Sequence, residues 1–180
     1  MILQPLNLNQ MIKPQILKCL AVSAAFLTFS SCAANNGIIP QTACHTATAI
    51  ATQTWEVDYY INKASGGSNN RRVQSFQSNT LTNLNGEKPI NAASGPDNEG
   101  IWWLSLPLRP TADEVDQYRD IQERNDPPML QRSVEYQLRC ENGMLLTDAL
   151  MYREASRAIR TGQAVQVTYL GNRALKVVTP

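Results

Sequence analysis

The side chains able to do chemistry in this 180-residue chain are four cysteines, one histidine, and carboxylates and arginines spread along its length. Cys19 lies inside an apolar run, Cys32 closes it behind Ser30 and Ser31, and Cys44 and Cys140 fall in the body of the chain. A thiolate beside an imidazole can act as a nucleophile or a metal ligand, and Cys44 adjoins His45. No zinc spacing and no Cys-x-x-Cys-His surrounds that pair, so His45 is expected as a solvated side chain at a loop edge and no metal or cofactor is implied.

Other catalytic patterns are missing too. The chain has no Gly-x-Ser-x-Gly, no P-loop and no dinucleotide fingerprint. Gly66-Gly67 sits in a Ser-Gly-Asn loop without a helix start behind it to cradle a phosphate. Asp113, Glu114, Asp116 and Asp120 suit a solvated helix whose first acids complement the dipole, whereas a glycosidase pair needs a cleft. No catalytic residue is expected, and the chain reads as non-enzymatic.

Two groups of residues could instead recognise a partner. Arg153, Arg157 and Arg160 recur at helical spacing and form a basic stripe, either a solvated face or a contact for anionic lipid head groups or an acidic protein. Trp102-Trp103 is the second group. Adjacent strand residues point to opposite faces, so one indole is exposed as a binding anchor unless both faces are covered, in which case the pair is core.

The segments that position these groups begin with an export signal. Lys13 and Lys18 precede the apolar run from Cys19 to Phe29, which is short for a hydrocarbon core that needs about 20 apolar residues. Residues 1–10 carry no charge, so Met11-Ile12-Lys13 offers an alternative start. Phe29-Ser30-Ser31-Cys32 resembles the lipobox of bacterial lipoproteins, with Phe29 where that family usually carries Leu. The resemblance implies removal of 1–31, lipidation of Cys32, and a palmitate-bearing anchor in a membrane facing the periplasm or exterior. An ordinary signal cleaved near Ser31 or Ala34 would release a soluble secreted protein, and an uncleaved membrane helix is the third option.

Without Lys13 and Lys18 the mature chain is close to neutral, which argues against nucleic acid. In an oxidising compartment Cys44 and Cys140 form an even pair and are expected as a disulfide; the alternatives are two buried thiols or a free Cys44. Residues 32–53, rich in Ala and Thr, are read as the lipidated N-terminus and a tether, and 54–180 as a single β-rich domain.

Within that domain Trp55, Val57, Tyr59 and Ile61 alternate as a half-buried strand. Residues 72–78 and 80–84 are weaker strands before an Asn85-Gly86 turn, 91–100 is loop, and 101–106 is a strand buried on both faces. Thr111-x-x-Glu114 is a capping box that opens a short helix, with Asp126-Pro127-Pro128 as its stop. Val134 to Cys140 should turn at Asn142-Gly143 into a strand reaching Met151, with Cys140 opposite Leu145. Residues 153–160 favour helix with Gly162 as cap, and Val165 to Val178 closes as a hairpin about Gly171-Asn172.

The fold class expected is mainly β: a small antiparallel β-sandwich or barrel of about seven strands with one or two short helices. The α+β alternative is an open sheet with both helices on one face. The function expected is a membrane-anchored binding or assembly module of the cell envelope; the alternative is a small β-barrel carrier of an apolar ligand or lipid.

Overall fold

The computed structural model describes residues 39–61 and 71–179. The export signal, Cys32, the start of the tether and Gly66-Gly67 lie outside them. The domain is mixed α+β: seven strands in one sheet and two short helices. Among the described residues no helix is long and apolar enough to cross a membrane.

The organising element is β1 (Gln41–Tyr60), a strand of 20 residues. Its first thirteen residues, 41–53, were expected as tether, and this is the largest correction to the sequence reading. The pattern there does alternate, with Ala47, Ala49 and Ala51 buried and Thr46, Thr48 and Thr52 on the other side. Small side chains carry little apolar area, so the period of two was masked by low hydrophobicity.

Both edges of β1 are paired along most of its length. β2 (Arg71–Leu84) covers one edge from Thr48 to Tyr60, and β6 (Val165–Leu170) continues that edge over Gln41–Cys44. On the other edge β4 (Met129–Cys140) pairs with Cys44–Glu56, and β3 (Arg124–Asn125) follows at Tyr59 and Tyr60. The two weak strands expected at 72–78 and 80–84 are one element, β2, with an irregularity opposite Thr54 and Glu56.

A bulge in β1 sets which face its first residues present. Between Cys44 and Thr46 the strand holds one residue more than β4, so the alternation inverts there. Cys44 and Ala47, three apart, are thereby both fully buried, and His45 is left exposed. His45 Nε2 lies 3.8 Å from the Glu141 carboxylate.

The sheet continues from β4 through β5 (Gly143–Thr147) and β7 (Arg173–Val178) to β6. The step from β5 to β7 is a single parallel pair, Leu146 with Arg173, because β5 passes after five residues into the cap of a helix. β6 pairs in turn with the first residues of β1, so the domain is one seven-stranded sheet carrying two helices, and the two-sheet sandwich expected is not formed.

Both helices pack against the same side of β1. α1 (Ala112–Gln117) opens on the Thr111–Glu114 capping box, with both reciprocal bonds formed, and buries Val115 against Val57 and Tyr59. It ends well before Asp126-Pro127-Pro128, leaving Ile121 fully exposed. α2 (Ala149–Arg160) begins where a strand was expected to continue. Asp148 accepts a hydrogen bond from the Met151 amide at 2.8 Å, and this N-cap outcompetes further pairing. Its buried face, Tyr152, Ala155 and Ala158, joins Ala47, Ala49, Leu138, Val165 and Val167 in the main core.

Two further details differ from the sequence reading. The β4–β5 register sets Cys140 opposite Gly143 and Leu138 opposite Leu145, so the turn residues are Glu141-Asn142 rather than Asn142-Gly143. The Glu141 amide donates to the Ala43 carbonyl, which holds Glu141 to β1 and fixes that register. Residues 101–106 form no strand beyond an isolated bridge between Trp103 and Ser94. They run along β1 and β2 as a coil whose backbone is held by side-chain amides instead. The Asn83 carboxamide accepts from the Trp102 amide at 2.8 Å and donates to the Trp102 carbonyl, and Gln53 donates to the Leu104 carbonyl at 3.1 Å. Asn79 donates to the Ser105 carbonyl at 2.5 Å, and the Trp55 indole donates to the Pro107 carbonyl at 2.9 Å. This explains why Gln53 and Asn83 are buried among apolar neighbours.

Candidate functional site

Cys44 and Cys140 form a disulfide directly across the β1–β4 pair. Both are buried, so the bond is a brace inside the core. Closing 96 residues of sequence separation, it removes denatured-state entropy worth at most about 4 to 5 kcal/mol.

The two tryptophans have different environments. Trp103 is 5 % exposed; its indole donates to Asp97 Oδ2 at 2.9 Å, and the Arg132 guanidinium stacks 4.9 Å from its ring. Trp102 is half-buried, with Lys88 Nζ 5.5 Å from its ring. Of the pair, Trp102 is the more accessible.

Between the tryptophans and α2 stands the loop 94–103, built around Asp97. Asp97 Oδ1 accepts from the Glu99 and Ile101 amides, both at 2.9 Å, while Oδ2 takes the Trp103 indole. Gly95 has φ +120°, and a Cβ there would meet the Ile101 carbonyl oxygen at 2.7 Å, so the loop requires glycine. The loop is a ridge with a cleft on either side.

On the α2 side the cleft holds about 250 Å³ and is lined by Arg153, Arg157 and Arg160 with Ser156, Gly86 and residues 96–100. The arginine stripe expected from spacing therefore faces a concavity. Arg160 Nη1 reaches the Gly86 carbonyl at 3.5 Å, but among the described residues none of the three arginines is ion-paired. Arg157 and Arg160 are exposed and Arg153 half-buried. Gly86 lies two residues before Lys88, so the Asn85-Gly86 turn joins the arginine cleft to Trp102.

The other cleft, of about 440 Å³, is lined by Asp97, Asn98, Glu99, Trp103, Arg132, Val134 and Tyr136. Tyr136 donates to Glu99 Oε2 at 2.6 Å, and its hydroxyl is pushed far above the usual phenol range by burial and then by that carboxylate. Its ring lies 5.3 Å from that of Tyr152, whose hydroxyl is raised by burial while the Gly86 backbone amide opposes the shift. Arg132 Nε donates to Gln53 at 3.2 Å. The sequence reading missed Asp97, Glu99, Arg132 and Tyr136. An Asp two residues before a Glu in a Gly-Pro loop was the available signal, since such an Asp caps its own downstream amides.

Comparison with family models, curated proteins and solved structures gives no match for this chain.

Proposed function

We propose that this chain is an exported lipoprotein, anchored through Cys32, whose domain is a non-enzymatic binding or assembly module in the cell envelope. The observation that supports it is the concave basic face of α2: Arg153, Arg157 and Arg160 line a cleft with no carboxylate paired to them, beside a half-buried Trp102 under Lys88. Unpaired guanidiniums in a cleft next to an aromatic edge are the chemistry of recognition surfaces.

Two variants test the two halves of this reading. Cys32→Ser should move the protein out of the membrane fraction, and an unchanged fraction would remove the lipid anchor. Replacing Arg153, Arg157 and Arg160 together by Glu should abolish retention of envelope components on the immobilised protein, while Arg119→Gln, just beyond α1, leaves it intact. Equal retention by both would sink the α2 face as the binding surface.

A second reading, a small carrier of an apolar ligand, draws on the wider cleft, where Trp103, Val134 and Tyr136 offer apolar surface beneath Arg132. An apolar ligand seated there would change Trp103 fluorescence, and Val134→Trp would block it.

A further inference from the structure

Building on the binding-module reading, we infer that the cleft between α2 and the 96–100 loop is a site for a phosphate-bearing ligand. The arginines there carry charge that no carboxylate among the described residues neutralises as an ion pair. Elsewhere Arg71 pairs with Asp58 at 2.5 Å, Arg72 with Glu123 at 2.7 Å and Arg119 with Asp116 at 3.3 Å. Arg153, Arg157 and Arg160 have no such partner among the described residues.

The acids on the cleft wall are already engaged. Both oxygens of Asp97 are taken inside its loop, and Glu99 accepts the Tyr136 hydroxyl on the far side of the ridge. Helix electrostatics account for part of the stripe, because Arg157 and Arg160 lie in the last turn of α2, where cations complement the dipole. Arg153 lies mid-helix and has no such role.

Spacing and size narrow the ligand. Positions 153, 157 and 160 share one face over about 10 Å of helix axis, a span that long guanidinium arms close onto one group. A cleft of about 250 Å³ is below the range that holds a drug-sized molecule, so it suits a head group rather than a peptide chain. A carboxylate offers two oxygens and one charge, whereas a phosphate monoester offers three oxygens and a charge of roughly −1.5 to −2, which matches three guanidinium forks. Gly86 and Gly100 on the wall carry no Cβ and let such a group approach the backbone.

Calorimetric titration of the full chain with glycerol phosphate, inorganic phosphate and acetate tests this. The same chain should be floated with phosphatidylcholine vesicles with and without phosphatidic acid, whose head group is a phosphate monoester. Saturable binding of either phosphate is expected, with no saturable heat from acetate. Arg157→Gln should weaken it roughly tenfold, the loss expected for one charge-assisted contact, and Arg119→Gln should leave it unchanged. Melting temperatures of both variants show whether the fold persists.

Flotation with phosphatidic acid vesicles alone, lost in Arg157→Gln, assigns the phosphate to a lipid head group. Binding of the soluble esters alone assigns it to a free phosphate ester. Acetate binding as well as phosphate, equal affinity in Arg157→Gln, or no phosphate binding in any arm would overturn the inference. If retention of envelope components still depends on the three arginines in that last case, the binding-module reading stands and only the ligand class falls.

Discussion

At the Cys44 end of β1 the sheet is held by a broad apolar cluster that takes in β4, β5, β6, β7 and α2, with a disulfide at its centre. At the Tyr60 end the buried cluster is Val57, Tyr59 and Val115, with Phe76 against it, and polar contacts do most of the holding. Tyr59 donates to the Val115 carbonyl at 2.7 Å, and Arg72 lies 4.3 Å from the Tyr59 ring while it pairs with Glu123 and donates to the Tyr118 carbonyl. One strand therefore runs from a region stabilised by burial and a covalent brace to one stabilised by individual bonds. The first should lose most when its brace or a buried ring is removed, and the second should respond to pH.

The largest effect tests the brace. Cys140→Ser should lower stability by up to about 5 kcal/mol, read as a drop in denaturation midpoint that dithiothreitol reproduces in the native chain. A midpoint unmoved by either treatment would show that the apolar cluster suffices without the bond.

Next in size are the two buried tyrosines, one from each end. Tyr152→Ala removes a fully buried ring from the wide core and should cost about 3 to 5 kcal/mol, the usual range for a large aromatic. Tyr59→Phe keeps the ring and removes one buried hydrogen bond, while the Val115 carbonyl keeps its bond from the Tyr118 amide, so about 1 kcal/mol is expected. Chemical denaturation of both variants checks the order; a larger loss from Tyr59→Phe would reverse the comparison.

The smallest effect is acid sensitivity confined to the Tyr60 end. The Arg72 hydrogen bond holds the Glu123 carboxyl below its usual range, and bonds from the Thr111 amide and hydroxyl do the same for Glu114. A depressed folded pKa means that this stabilisation is complete above the ordinary glutamate value of about 4.3 and is lost as pH falls through the folded value. Chemical shifts of Tyr59 and Val115 should move in that window while those of Val165 and Val167 stay fixed. Arg72→Gln should shift the Glu123 titration back toward the ordinary value.

What the sequence disclosed follows the strength of local signals. The capping box at Thr111, the alternation of Val134 to Cys140, the hairpin about Gly171-Asn172 and the cysteine pair each rest on residues close together or on simple counting, and each is present in the fold. The first half of β1 was hidden because its inward side chains are alanines, which are buried here only because α2 and Ile101 pack over them. The double tryptophan segment looked like a strand because it is apolar. Its backbone partners are side-chain amides of Gln53, Asn79 and Asn83, some 20 to 50 residues away, and no local pattern announces them. Of the candidate site, the arginine stripe was legible from helical spacing. The loop that turns it into a cleft was not, because Asp97 organises that loop through contacts made only once the chain has folded.

The coil at 102–107 lies along β1 and β2 much as a bound peptide lies in a receptor groove, recognised through its main chain. Gln53, Asn79, Asn83 and Trp55 act as the receptor, and the covalent link supplies the local concentration. Recognition of that kind does not depend on which side chains the peptide carries. Leu106, more than half exposed, is thus open to replacement, whereas Gln53 and Asn83, wholly buried and amide-specific, are not. The domain occupies its own groove, and Trp102, at the start of that strap, is fixed through its backbone by Asn83 while its ring stays half-buried.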